Sequence, residues 1–160
     1  MRYPRICLCA ILVCLFSCVE TITGQETVDL KSLADSVRKA SGKPNFLPLG
    51  MHFLELAKAR KDTANISDAY AIITNHYYEL GDTDSLRLMT YEYMDWAGRC
   101  HRNTDRYQAW RQYIQRMTEK GMQEEAMKET ELLCKDAEQR KDKYGMASGE
   151  MCIGYNHRVF

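Results

Sequence analysis

Two glycines forty residues apart, Gly81 and Gly121, constrain this chain more than any other feature. Each closes one run of apolar residues at helical spacing and opens another. Before Gly81, Tyr70, Ile73, Tyr77 and Leu80 recur at intervals of three and four residues, which places them on one face of a helix. After it, Leu86, Met89, Tyr93 and Trp96 do the same, and the tight Gly81-Asp82 turn predicts that the second helix folds back antiparallel on the first. The design returns around Gly121. Trp110, Tyr113, Ile114 and Met117 precede it, and Ala126, Thr130, Leu133 and Ala137 follow. Placing Gly81 over Gly121 superposes Tyr70 on Trp110, Ile73 on Tyr113, Tyr77 on Met117 and Leu86 on Ala126. The chain therefore predicts an all-α protein built from a recurring helix-turn-helix template.

Composition agrees. With 45% hydrophobic and 28% charged residues and only 3 Pro and 9 Gly, the sequence suits packed helices and argues against a disordered or collagenous chain. Its 160 residues leave room for one domain of ordinary size. Lys+Arg 22 balances Asp+Glu 22, so nothing predicts the basic surface on which nucleic-acid binding rests, and no nucleic-acid partner is expected.

Residues 1–24 differ in character. Arg2 and Arg5 precede an uncharged apolar run, Ile6 to Phe16, the pattern of a cleaved signal peptide; the run is shorter than the roughly 20 residues that span a membrane. Cleavage after Gly24 suits the small-residue rule, and Leu15-Phe16-Ser17-Cys18 also resembles a lipoprotein box in which Cys18 carries the lipid. After cleavage at Gly24, Cys100, Cys134 and Cys152 remain of the 7 Cys, an odd number at spacings that match neither a zinc site nor a redox pair. Buried thiols are expected, or a bridge from Cys134 to Cys100 or Cys152 in an oxidising compartment.

Trp110, Tyr113-Ile114, Met117, the turn Gly121 and then Ala126 resemble the tetratricopeptide (TPR) pattern: an aromatic, a large-small pair, a second large residue, a turn glycine and a small alanine. The resemblance implies a TPR-like α-solenoid of antiparallel helix pairs over residues 25–160, with units near 28–65, 66–103 and 104–143 and an incomplete unit at 144–160. Tyr70, Ile73, Tyr77, Trp110, Tyr113, Met117 and Ala126 are then repeat-core residues. A TPR unit has about 34 residues. The longer offset here predicts a polar loop, Gly98 to Asp105, and a third unit in which Tyr144 stands where Trp110 stood, followed by Ala147, Ser148 and Met151. Ile114, Leu86, Thr90 and Thr130 depart from the family's preferences. The export segment together with Asp68-Ala69-Tyr70-type helix starts resembles the N-terminal periplasmic region of TPR-bearing sensor kinases or regulators of Bacteroidetes-type bacteria. The sequence stops at His157-Arg158-Val159-Phe160 without a partner for the third unit's first helix, which predicts a fragment of a longer receptor or an end covered by a partner.

The resemblance implies binding of a protein or peptide in the envelope or periplasm, with no cofactor, no metal, and membrane contact through the signal segment, a lipid anchor or a missing C-terminal span. First-helix side chains line the concave surface of a solenoid, so Asn75, Tyr78 and Arg111 are the candidate partner-binding residues. The charged helix Glu124 to Arg140 reads as a solvated outer face, with Glu124–Lys128, Glu131–Lys135 and Asp136–Arg140 pairs, and Asn65 or Ser67 as a helix cap. The competing readings are a small thiol- or metal-dependent enzyme using Cys100, His101, Cys134 or Cys152, and a remnant with no function. His52, His76, His101 and His157 stand at no ligand spacing, and no phosphate loop or kinase motif appears.

Overall fold

The computed structural model describes residues 29–159; the expected signal segment 1–24, with Cys18, lies outside them. Among the described residues seven helices follow one another: α1 Leu30–Lys39, α2 Phe46–Ala59, α3 Thr63–Leu80, α4 Thr83–Arg99, α5 Asn103–Glu119, α6 Gln123–Arg140 and α7 Lys143–Val159. Among the described residues there are no strands, and no helix is long and apolar enough to cross a membrane.

The period is carried by the turns. Lys61, Gly81, His101, Gly121 and Lys141 stand twenty residues apart, and all five adopt the left-handed conformation, with φ of 55°, 72°, 55°, 74° and 53°. In each turn the next amide donates back across the helix end to a carbonyl five residues earlier: Asp62 to Ala57, Asp82 to Tyr77, Arg102 to Ala97, Met122 to Met117 and Asp142 to Ala137. This Schellman closure satisfies carbonyls that the helix leaves open and reverses the chain in three residues. Asp62, Asp82 and Asp142 then cap the next helix by accepting from the amides of Asn65, Ser85 and Gly145 at 3.1, 3.0 and 2.9 Å. Glycine suits the left-handed region, whereas Lys61, His101 and Lys141 hold it against their own Cβ. His101→Gly and Lys141→Gly are each expected to gain about 0.5 kcal/mol net in chemical denaturation, the relief of strain exceeding the entropy added to the unfolded chain. An unchanged or lowered midpoint in both would refute the strain.

These turns correct the predicted loop. Gly98 to Asp105 is no loop: α4 runs through Arg99 and α5 begins at Asn103. The helices from α3 to α7 are 17 or 18 residues long, and two of them with their short turns fill the forty-residue period. The same period starts α7 at Lys143, so the position matching Trp110 is Glu150, not Tyr144; Tyr144, Ala147 and Met151 are exposed and Ser148 is buried. Helix α3 is capped by Asp62 rather than by Asn65 or Ser67. Of the three expected charge pairs on α6, Asp136–Arg140 forms at 3.1 Å, and no ion pair joins Glu124 to Lys128 or Glu131 to Lys135.

Packing falls into two rows. Every helix packs on its sequence neighbours, and the odd-numbered ones also touch one another, α1 on α3, α3 on α5 and α5 on α7; the even-numbered backbones approach only their neighbours. Tyr70, Ile73, Trp110, Tyr113, Met117 and Ala126 are buried between the rows, while Tyr77 is half-buried at their edge and Leu80 is exposed. The aromatics are anchored by carboxylates from the following helix. Tyr70 donates to Glu92 at 2.8 Å, Trp110 Nε1 to Glu129 at 2.8 Å, and Tyr107 to Asp136 at 2.8 Å. Asn156 on α7 is buried yet satisfied: it accepts from Thr118 on α5 at 2.6 Å and donates to Thr130 on α6 at 3.1 Å, which fixes the register of three helices.

Candidate functional site

A groove of about 400 Å³ runs across α1, α3 and α5, lined by Arg38 in α1's last turn, Phe46 at the start of α2, Asn75 and His76 of α3, and Gln112 and Arg116 of α5. Helical spacing explains the lining. Asn75 and Glu79 on α3, like Gln112 and Arg116 on α5, are four residues apart and share a face. At one end, the Phe46 ring packs on the His76 ring at 4.1 Å. Arg38 is tied to Asp68 and to Asp35.

Asn75, the first expected partner-binding residue, is exposed; its Nδ2 donates to Glu79 at 2.7 Å and its Oδ1 accepts from Arg116 at 3.4 Å. Tyr78 is half-buried and lies just beyond: its hydroxyl donates to Glu119 Oε2 at 2.7 Å, and its ring lies beneath the Arg116 and Lys120 cations at 5.3 and 5.1 Å. The hydrogen bond to Glu119 raises the phenol's pKa and lowers that of the carboxylate. Arg111, the third, stands elsewhere. It lines a separate depression of about 70 Å³ between α5 and α7, with Gln115, Met151 and Tyr155.

The cation that joins Asn75 and Tyr78 is Arg116, which sequence reasoning passed over. Burial presses on its charge and lowers its pKa, and it forms no ion pair among the described residues. Glu119 was also missed. Besides Tyr78 of α3 it accepts from Tyr155 of α7 at 3.3 Å and Gln115 of α5 at 3.0 Å, so one carboxylate links three odd-numbered helices. Gln112, Arg116 and Glu119 recur at four and three residues, a face legible in the sequence. Choosing Arg116 over Arg111 required knowing which turn of α5 lies opposite Asn75.

The alternative chemistry gathers little around it. Cys100, Cys134 and Cys152 are free thiols, exposed, half-buried and buried, so none of the expected bridges forms. Burial pushes the Cys152 thiol up to about 12 and raises that of Cys134, the direction opposite to that of an activated thiolate. Among the described residues no group of three or more His, Cys, Asp or Glu is placed to hold a metal ion. What the groove offers is amide, guanidinium and carboxylate groups beside aromatic faces, a set that recognises a backbone or side chains by hydrogen bonding and stacking. No protein-family model matches the chain, and neither a curated protein nor a solved structure matches it.

Proposed function

We propose that residues 25–160 form a TPR-like solenoid that binds a protein or peptide along the groove of the odd-numbered helices, and that residues 1–24 export it to the periplasm or envelope. The protein then serves as the sensory or scaffolding segment of an envelope signalling receptor. The observation that carries this reading is the unbroken contact of α1, α3, α5 and α7, which sets side chains from successive helices along one surface. Supporting it, the half-buried Arg116 and Tyr78 and the exposed Asn75 present donors, an acceptor and an aromatic face within one stretch of that surface. Arg and Tyr are the side chains that most often dominate affinity at such interfaces. Export rests on the Arg2, Arg5 and Ile6–Phe16 pattern, and the TPR kinship on the residues from Trp110 to Ala126.

The full chain and an Asn75→Ala/Arg116→Ala variant, each immobilised, are to be incubated with envelope extract and the retained proteins quantified by mass spectrometry. The expected result is a protein retained by the wild type and at least tenfold less by the variant, whose melting temperature stays close to wild type because Asn75 is exposed and Arg116 only half-buried. Identical retention by both, or none by either, overturns the reading.

A further inference from the structure

A second surface lies away from that groove. A slot of about 390 Å³ separates α6 from α7, lined by Met127, Thr130, Cys134 and Ile153 and rimmed by Glu131 and Glu138. We propose that this slot docks one amphipathic helix of a partner protein, with a narrow apolar stripe flanked by lysine or arginine.

The internal repeat identifies the occupant. Shifted back by forty residues, Cys134 of the slot becomes Met94 and then Leu54, and Ile153 becomes Tyr113 and then Ile73. In both earlier copies the next even-numbered helix lies across that junction. Glu92 of α4 bonds to Lys58 of α2 at 3.0 Å and Tyr70 of α3 at 2.8 Å; Glu129 of α6 bonds to Tyr91 of α4 and Trp110 of α5, both at 2.8 Å. Burial follows this cover. Ile73 and Tyr113 are 0% and 5% exposed, against 43% for Ile153, and Leu54 and Met94 are buried where Cys134 is half-buried. Among the described residues no helix lies across α6 and α7. The same side-chain positions that a helix closes twice in this fold are thus open at the third.

Charge fixes the partner's chemistry. The residues that grip the covering helix in the first two junctions, Lys58 and Tyr91, are both donors. At the third junction their positions belong to Glu138 and Glu131, both acceptors, and Glu150 of α7 adds a third carboxylate; Lys135 is the rim's cation. Glu138 and Glu150 lie close enough to help burial hold the Cys134 thiol up. A covering helix shaped like α6 therefore fits best when its two gripping positions, those of Glu129 and Leu132 in α6, carry cations. An acidic helix meets like charge there.

The test uses the full chain and a fluorescent peptide of α6's own sequence, Gln123 to Arg140, carrying Glu129→Lys, Leu132→Lys and Cys134→Ser. A control peptide keeps Glu129 and carries Leu132→Glu. The expected result is saturable binding by anisotropy, at least tenfold weaker for the control peptide and at least tenfold weaker for Ile153→Glu, an exposed change that leaves the fold intact. At saturation, alkylation of Cys134 should slow at least tenfold while exposed Cys100 reacts as before. Equal affinity for both peptides, or no binding, overturns the proposal. So does a dimer that Ile153→Glu dissociates, which gives the slot to a second copy. Protection of Cys134 that disappears when the chain begins at Gln25 gives the slot to this chain's own N-terminal residues and overturns it as well.

Discussion

Trp110→Ala is expected to lower the stability of the fold by about 3–5 kcal/mol, with a fall in the thermal midpoint on the order of 10 °C. The indole is buried, packs between α5 and α6, and lies under the Arg106 guanidinium at 5.8 Å. Its Nε1 donates to Glu129, a buried carboxylate that also takes the Tyr91 hydroxyl. Truncation removes the ring's volume and half of Glu129's hydrogen bonding at once. The two losses separate by substitution: Trp110→Phe keeps most of the volume and deletes the donor, so its cost of about 1–3 kcal/mol measures the hydrogen bond to a buried charge. Glu129→Leu deletes the acceptor and strands both donors. Because the indole N–H and the carboxylate are one interaction, Trp110→Phe combined with Glu129→Leu should cost clearly less than the two changes added together. Additive losses, or a Trp110→Ala cost under about 1 kcal/mol, would mean that this contact does not hold α6 on α5.

Where the sequence spoke through periodicity, it spoke clearly. Tyr70, Ile73, Trp110, Tyr113, Met117 and Ala126 are buried because each repeats on one helix face, and a face that repeats every three or four residues has to be covered. Tyr77 shares that spacing but stands in the last turn of α3, near Asp82, where the neighbouring row ends, and it is half-buried. The period was harder to read because three of its five turns carry lysine or histidine in a conformation that glycine usually marks. Gly81 and Gly121 were visible as stops, whereas His101 sat within a polar stretch that reads as a loop. Glu129 hides for a similar reason. In the run from Glu124 to Glu138 it is one charge among many, and only the arrival of Trp110 and Tyr91 from other helices distinguishes it. Contacts between helices carry no spacing rule, which is also why Arg111 rather than Arg116 came forward for the groove.

Gly145→Ala is expected to destabilise the protein by about 2–3 kcal/mol, although alanine is the better helix former by nearly 1 kcal/mol. A Cβ built on Gly145 would stand 2.6 Å from Tyr107 Cζ and 2.8 Å from Ala137 Cβ, both closer than carbon atoms tolerate. Neither neighbour can move away cheaply. Ala137 Cβ is fixed to the backbone of α6, and the fully buried Tyr107 ring is pinned by its hydroxyl to Asp136, which Arg106 and Arg140 hold in turn. The first turn of α7 therefore has to swing out, and with it the Asp142 cap. Two further glycines of α7 calibrate the effect. At Gly149 the clash is with Cys134 Sγ at 2.5 Å, a half-buried side chain that can rotate, so Gly149→Ala should cost less. At Gly154 nothing lies within 4 Å, and Gly154→Ala should stabilise by about 0.5–1 kcal/mol through helix propensity alone. Urea denaturation of the three variants should therefore give the order Gly145→Ala, Gly149→Ala, Gly154→Ala from least to most stable. Adding Ala137→Gly to Gly145→Ala removes one of the two clashes and should recover part of the loss. If Gly145→Ala instead matches Gly154→Ala, α7 does not press against α5 and α6 at its first turn.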